Sequence, residues 1–295
     1  MSVTIKDVAK AAGVSVATVS RVLNNSSAVS DETAAAVNEV INEMGYSPNF
    51  LGRKLRNCET NNILVILPST AHTVYSNIIN GMQDAAYPFY DIFLSTSNSY
   101  LDTEMRLLNM LFNRTVDAAV LLGTQIDGEK LNELNKSYNI ALCCERREGA
   151  NVLTVTINDE AGYTRALAAY GIEKVEKYIY RCSYDYTDGC EALKYFMSLP
   201  EPPEAVFCIS DLLAVGVIKQ ASRDGIAIGS QLEVCGFDNI SLSEMYIPGI
   251  TTVAQPGYEM GKTVITKLLE NMHKTEKNNE HIILDHELII RGSAK

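Results

Sequence analysis

Apolar side chains recur every three or four positions through residues 4–46, the spacing of amphipathic helices. The pattern predicts three short helices, each preceded by a hydroxyl side chain that can cap its first turn: Thr4, Ser15 and Ser30. Gly13 and Gly45 can adopt the positive φ that ends the first and third helices. Since a turn of about three or four residues separates the first two helices, the segment has helix-turn-helix geometry.

From residue 62 onward, apolar runs alternate with amphipathic stretches, which is typical of doubly wound parallel sheets. Nine runs are predicted as strands, in two series: 62–68, 90–95, 117–123, 140–145 and 152–158, then 177–181, 205–210, 232–238 and 251–254. Helices are predicted between them: 74–87, 102–114, 127–137, 186–198, 211–224 and 257–272. Two parallel sheets side by side form a cleft, and ligands bind outside the carboxyl ends of the strands.

Composition and charge refine this organisation. The chain has 295 residues, 46% of them hydrophobic and 21% charged, which predicts a globular protein of two or three folding units. A net charge of -11 argues at first against a nucleic-acid binder. However, residues 1–60 contain six basic and six acidic side chains, so the whole excess of negative charge belongs to residues 61–295.

Other classes of protein are disfavoured. The amino terminus lacks the apolar core of a signal peptide, and no run of 18 apolar residues exists, so we expect a soluble cytoplasmic protein without a membrane partner. Seven cysteines without a CxxC pair and four histidines without ligand spacing predict reduced thiols and no metal site. Nucleotide-binding and hydrolase motifs are absent, which predicts no cofactor and no enzymatic activity.

The second predicted helix has an exposed face suited to contacting DNA. Val16, Ala17 and Arg21 lie off its packed side, where they can enter a major groove. Arg21 can donate to guanine O6 and N7, while the other two can touch a thymine methyl. Phosphate contacts are expected from hydroxyls and an amide near the helix starts: Thr4, Ser15, Thr18, Ser20, Asn24, Ser30 and Thr33. Taken singly, each of these polar residues is better explained as a cap or a solvated surface residue; it is the whole set that favours phosphate contacts.

The segment GYSPNFLGRKLRN predicts a short basic helix over residues 49–56. Its Leu55 can act as an apolar wedge in the minor groove. Gly52 weakens so short a helix, so we expect it to fold only on DNA. An ordinary interdomain linker with scattered basic residues is the alternative.

TIKDVAKAAGVSVATVSRVLNNS, followed by GYSPNFLGRKL, resembles the DNA-binding head and hinge of the LacI/GalR family of bacterial transcription regulators. The resemblance implies that Val16, Ala17 and Arg21 contact bases and that Leu55 intercalates at the centre of a palindromic operator.

The remainder also resembles that family, through AVFCISDLLAVGVIKQA, LEVCGFDNISLSEMYIPGITTVAQP and ELIIRGS. The resemblance implies a core like a periplasmic sugar-binding protein, with two lobes joined by three crossovers. The implied divisions are a head, a hinge and two discontinuous lobes: 1–47, 48–60, 61–158 with 257–285, and 159–256 with 286–295. The implied effector site contains Ser69, Val74, Tyr75, Glu160, Asp211 and Asp238. For Asp211, a role at the start of a helix is an equal alternative.

The sequence departs from the family at one place. NDEAG runs directly into GYTRALAAYGI, so about one β-α-β unit is missing from the second lobe, together with the arginine that the family places ahead of this GY pair. Either the lobe is truncated or a segment is omitted from the sequence.

We therefore predict a homodimer, or a tetramer, that binds palindromic double-stranded operator DNA, as a repressor of a sugar or related small-molecule utilisation operon. A sugar or sugar derivative bound in the cleft is expected to modulate DNA affinity. The alternative is a regulator that has lost this sensing through the truncated lobe, and is effector-independent or modulated by a protein partner. A solute-binding protein or an enzyme on the same fold is opposed by the helix-turn-helix.

Overall fold

The structure is a computed structural model that describes residues 3–23, 29–46, 59–70, 74–157 and 162–295. The chain divides into two compact units, Met1–Glu59 and Thr60–Lys295. We call them the head and the core.

Three helices form the described part of the head, which confirms the helix-turn-helix prediction: α1 (Ile5–Ala11), α2 (Val16–Leu23) and α3 (Asp31–Glu43). Gly13 and Gly45 have φ values of 66° and 60°, and each follows the end of its helix. A small apolar centre holds the helices together, with five side chains fully or nearly buried: Val8, Ala9, Val19, Val22 and Val37. The predicted hinge, residues 48–60, falls mostly outside the described residues.

The core alternates strands and helices. Its strands are β1 (Asn62–Leu67), β2 (Asp91–Thr96), β3 (Ala118–Leu121), β4 (Asn139–Cys143), β5 (Leu153–Ile157), β6 (Ala205–Phe207), β7 (Glu233–Phe237), β8 (Thr251–Ala254), β9 (His281–Leu284) and β10 (Glu287–Ile289). Its helices are α4 (Val74–Ala86), α5 (Leu101–Phe112), α6 (Gly128–Ser137), α7 (Gly162–Ala169), α8 (Tyr186–Met197), α9 (Asp211–Arg223), α10 (Ser241–Met245) and α11 (Gly257–Met272). A 3-10 turn spans Glu176–Tyr178.

The larger sheet is parallel throughout, in the order β2-β1-β3-β4-β5-β9. Both of its faces are covered. Along β1, Ile63, Val65 and Leu67 pack in a cluster with side chains of α4 and α11, whereas Leu64 and Ile66 pack in a cluster with side chains of α5 and α6. This alternation explains why the strand appears in the sequence as an unbroken apolar run.

The smaller sheet has the order β10-β8-β7-β6, with β10 antiparallel to β8. The parallel pairing of β6, β7 and β8 is as predicted, whereas β10 was not predicted and adds an antiparallel edge strand. The strand predicted over 177–181 was wrong, because the 3-10 turn occupies its start. The two tyrosines there bond or pack elsewhere: Tyr178 donates to the Glu201 carbonyl at 3.1 Å, and Tyr180 lies 5.4 Å from the Tyr195 ring. As a result β6 is an edge strand, with Phe207 44% exposed.

Helix α7 buries little surface. Nearly every residue from 163 to 177 is exposed, with Leu167 half-buried. A helix of this length is marginal in water without a packed face. The exposed segment directly follows the place where the sequence departs from the family, so it is the part of the lobe expected to lack a packing partner.

Helices α4 and α11 approach with their backbones in contact. A Cβ atom at Gly81 would overlap the carbonyl oxygen of Tyr258, and one at Gly261 would overlap the carbonyl oxygen of Ile78. Glycine at both positions therefore allows α11 to pack directly against α4.

Replacing Gly81 by Ala is expected to destabilise the core, as measured by urea unfolding. A forced backbone shift costs typically about 1 to 3 kcal/mol, whereas Ala regains at most about 1 kcal/mol of helix propensity. Asn80→Ala, at the exposed neighbouring position of α4, is the control and should leave the midpoint almost unchanged. Equal effects of the two substitutions would contradict the close-packing explanation.

Candidate functional site

The head presents the predicted base-contacting side chains to solvent. Val16 is 41% exposed, and Ala17 and Arg21 are also exposed, whereas Val19 and Val22 on the opposite side of α2 are buried. The first two turns of α2 therefore form a surface of two small apolar side chains and one guanidinium. This surface matches the guanine acceptors and the thymine methyl groups that a major groove offers.

Several predicted phosphate-contacting hydroxyls lie at helix starts. Ser15 Oγ is 2.9 Å from Thr18 Oγ1 and accepts from the Thr18 backbone N–H, and Ser30 and Thr33 form the same arrangement at α3. Thr4 donates from its backbone N–H and its hydroxyl to the Asp7 carboxylate. These bonds hold the pKa of Asp7 below its ordinary value, with the hydroxyl of Thr4 as the main cause.

Thr4, Ser15 and Ser30 thus cap helices in the structure, and the predicted phosphate contacts stay predictions. The same position at a helix start serves both roles, because the backbone N–H groups there face outward. Ser20 is half-buried. Asn24 and Leu55 lie outside the described residues.

A cavity of about 850 Å³ lies between the two sheets of the core. Its wall is drawn from both, and chiefly from segments at or beyond the carboxyl ends of strands: Pro68, Val74, Tyr75, Ser99, Gln125, Cys144, Arg147, Tyr163, Tyr184, Phe207, Phe237, Asp238, Gln255 and His286 are among its lining residues. This is the place where parallel sheets are expected to bind ligands.

Three of the residues implied for the effector site line this cavity: Val74, Tyr75 and Asp238. Ser69 is half-buried next to the lining residue Pro68, but does not itself line the wall. Glu160 lies outside the described residues.

Asp238 is the carboxylate that the structure places in the cavity wall. Gln255 Nε2 donates to its Oδ1 at 2.6 Å. Burial raises the pKa of Asp238 to about 7, against the lowering effect of that bond. Its φ of 105° is a strained backbone conformation for a residue other than glycine. Tyr75, whose pKa burial also raises, stays protonated and retains a hydroxyl donor.

Asp211 has a different position. It is fully buried at the start of α9, where Ser210 caps the helix by accepting from the Leu213 N–H. Asp211 Oδ1 accepts from Thr252 Oγ1 at 2.6 Å and its Oδ2 from the Ile240 N–H at 2.9 Å. The structure therefore gives Asp211 a bracing role rather than a place among the cavity-lining residues.

The sequence prediction missed most of the cavity wall. Tyr163 and Phe207 stack with ring centroids 6.5 Å apart and planes 17° apart, and Phe237 meets Phe207 edge-on at 6.4 Å. Arg147 and Gln125 follow β4 and β3 by four residues each. Their position just past strand ends was the available signal, since such loops line the cleft of a doubly wound fold.

Two glutamates, Glu104 buried and Glu145 half-buried, bond to the segment that carries the lining residue Gln125. Glu104 on α5 is 1% exposed and accepts from Thr124 Oγ1 at 2.6 Å and from the Gln125 N–H. Glu145 accepts from the Thr124 N–H and lies 3.3 Å from Arg147 Nε. Burial, assisted by the nearby Glu104, raises the pKa of Glu145 to about 7.

This raised pKa predicts that stability falls as pH rises. Between about pH 4.5 and 7 the folded chain holds a proton on Glu145 that the unfolded chain has released, so the loss is complete above pH 7. It amounts to at most about 3 kcal/mol. Glu145→Gln should reduce the change in urea midpoint between pH 5 and pH 8, and adding Asp238→Asn, whose pKa is raised into the same range, should reduce it further. An unchanged pH dependence in the double variant would contradict this.

The described residues contain neither a candidate metal site nor a candidate membrane-spanning helix. No group of three or more His, Cys, Asp or Glu side chains there is placed to hold a metal ion. Within the same residues, no helix is both long and apolar enough to cross a membrane.

Comparison with known proteins matches both units. Residues 4–49 match the family model for bacterial regulatory proteins of the lacI family, and residues 135–294 match the periplasmic binding protein-like domain. The chain is 32% identical to catabolite control protein A of Priestia megaterium, over all of both chains. This protein belongs to the LacI family. It is accordingly a DNA-binding transcriptional regulator and not an enzyme.

Other relatives agree in family and fold. This LacI-family chain is 31% identical to the transcriptional repressor CytR of Escherichia coli strain K12, over 99% of this chain and 96% of that one. Among solved structures, the lac repressor dimer bound to operator and an anti-inducer superposes with a TM-score of 0.87 at 20% identity, over 99% of each chain. A complex of the regulator CelR with cellobiose gives a TM-score of 0.71 at 25% identity, over 99% of each.

These LacI-family alignments also bear on the missing unit. The comparison with catabolite control protein A extends over 332 positions and covers all 295 residues of this chain, so at least 37 positions have no counterpart here. This number agrees with the absence of one β-α-β unit, which takes about 30 residues or more.

Proposed function

We propose that this LacI-family regulator is a sequence-specific repressor that binds a palindromic operator as a homodimer, with Val16, Ala17 and Arg21 contacting bases. The observation that carries the proposal is the surface of α2, where these three side chains are exposed beside the buried Val19 and Val22. Leu55 is proposed as the minor-groove wedge, and the helix-start hydroxyls as phosphate contacts.

Dimerisation is supported by the apolar side chains that the core exposes. Tyr87 is 79% exposed at the end of α4, and Ile247 is 91% exposed after α10. Phe89, Tyr100 and Met245 are exposed as well. Exposed apolar residues in such numbers favour burial against another protein, and a two-fold symmetric dimer matches a palindromic site. Whether the dimer assembles further into a tetramer stays a prediction.

The cavity of the core supports a small-molecule effector. We propose that the two lobes of the core close on a sugar or sugar derivative, and that the controlled operon serves the use of such a compound. The lobes are residues 61–158 with 257–285 and residues 159–256 with 286–295. Tyr75 and Asp238 contribute a donor and an acceptor, and Phe207 and Phe237 contribute apolar ring faces. An effector that binds one arrangement of the lobes better than the other changes operator affinity through linkage.

A second candidate function is favoured by the exposed segment around α7 and the edge strand β6. If the missing unit has removed the sensing half of the cleft, the protein binds its operator without an effector, or under the control of a protein partner. Calorimetry with sugars, sugar phosphates and nucleosides separates the two: binding of any compound supports the first candidate, and silence of the whole panel supports the second.

The proposed operator binding is tested by selecting bound sites from random DNA and titrating them by fluorescence anisotropy. We expect a palindromic consensus, saturable binding, and affinity that falls steeply with salt because phosphate contacts release counterions. Equal affinity for the selected site and for scrambled DNA would refute the proposed sequence-specific function.

A further inference from the structure

One arginine enters the cavity of the core from the segment after β4. Arg147 lines the cavity, and its side chain keeps 33% of its surface exposed. The lining residues also include Asp238, which accepts a hydrogen bond from Gln255, and His286. Within the described chain, Arg147 is therefore the permanent cation of the wall.

Arg147 is incompletely paired. Its Nε lies 3.3 Å from a carboxylate oxygen of Glu145, yet this buried nitrogen makes no hydrogen bond, and in the described chain no other acidic side chain lies within ion-pair distance of the guanidinium. Glu145 is engaged by the Thr124 N–H. Because burial raises the pKa of Glu145 to about 7, this carboxyl holds a proton part of the time near neutral pH and balances the arginine incompletely.

We propose that Arg147 binds an anionic group of the effector, a phosphate or a carboxylate, so that the ligand of this cleft is an acidic sugar derivative rather than a neutral sugar. A guanidinium presents several N–H donors in a planar fork that matches either anion in a bidentate manner. The ring faces of Tyr163 and Phe207 belong to the same cavity and suit the ring that carries the anion. This assignment rests on the proposed effector-binding function.

Calorimetry on the full chain tests the assignment with compounds that share one ring. Glucose, glucose 6-phosphate and glucuronate compare a neutral sugar, a phosphate and a carboxylate, and adenosine with adenosine 5′-monophosphate repeats the comparison on a second ring. We expect at least one anionic member to bind about 10- to 100-fold more tightly than its neutral counterpart. Arg147→Gln should abolish that preference by weakening the binding of the anionic compound.

Arg146→Gln is the matched control, because Arg146 is the exposed neighbour of Arg147 and does not line the cavity. It should retain the preference. The assignment would be overturned if Arg147→Gln kept the preference for the anionic compound or if Arg146→Gln lost it. It would also be overturned if the neutral compounds bound more tightly, or if none of the five compounds bound. Operator binding without added compound is measured in parallel. If the unmodified chain does not bind the operator, the DNA-binding proposal is refuted. If it binds the operator normally but calorimetry gives one of the overturning results, only the role of Arg147 is refuted.

Discussion

Arg21→Ala is expected to weaken binding to the selected operator by about 5- to 150-fold while leaving the head folded. A bidentate contact from arginine to a guanine contributes about 1 to 3 kcal/mol of discrimination. Arg21 is exposed and is not part of the apolar cluster of the head. The substitution should therefore lower operator affinity and leave the helix content unchanged.

Lys10→Ala is the control for charge alone, since Lys10 is exposed on α1 and also lies in the basic set of the head. It should weaken operator and scrambled DNA about equally, through the phosphates. Anisotropy titrations of both variants on both DNAs separate the two effects. An Arg21→Ala variant that keeps the operator preference of the unmodified protein would remove Arg21 from the base-contacting set.

The opposing charges of the two units are consistent with this specificity. The head is neutral in sum, and the acidic excess belongs to the core. An acidic core repels phosphate, so it limits non-specific attachment and leaves recognition to the head. The overall pI near 4.9 therefore does not argue against DNA binding in this chain.

The helices and most strands were predictable because their signals are local. The caps Thr4 and Ser30 and the positive-φ Gly13 mark helix ends in the sequence alone, and the apolar run of β1 marks a strand covered on both faces. By contrast, 177–181 has strand-like composition, but a strand forms only where a neighbouring edge accepts it. The tyrosines of this run pack on α8 and bond to the Glu201 carbonyl instead.

The cavity wall was harder to predict because its residues are brought together by topology. Arg147 follows β4, Phe207 ends β6 and Tyr163 belongs to α7, so no local spacing relates them. Asp211 shows the reverse case. Its carboxylate follows a strand and looked suited to a ligand, yet its two oxygens accept hydrogen bonds from Thr252 and Ile240.

Asp211 and Asp238 are held differently, and this difference predicts a large effect of substitution on the free energy of unfolding. Asp211→Ala is expected to lower the free energy of unfolding by about 2 to 5 kcal/mol, because it leaves a buried hydroxyl on Thr252 and a part-buried N–H on Ile240 without their acceptor. Gly236 reinforces this packing, since a Cβ there would overlap the Asp211 carboxylate. The Asp211 side chain therefore fills a close-fitting site beside Gly236 and Thr252.

Asp238→Asn is the matched comparison, because Asp238 follows the next strand of the same sheet but faces the cavity. It keeps an oxygen for Gln255 and removes a carboxyl whose ionisation burial disfavours, so urea unfolding at pH 8 should show no loss of stability. Ligand affinity should change in Asp238→Asn, and be retained by the folded fraction of Asp211→Ala. A stable Asp211→Ala protein that has lost ligand binding would reverse the two roles and return Asp211 to the effector site.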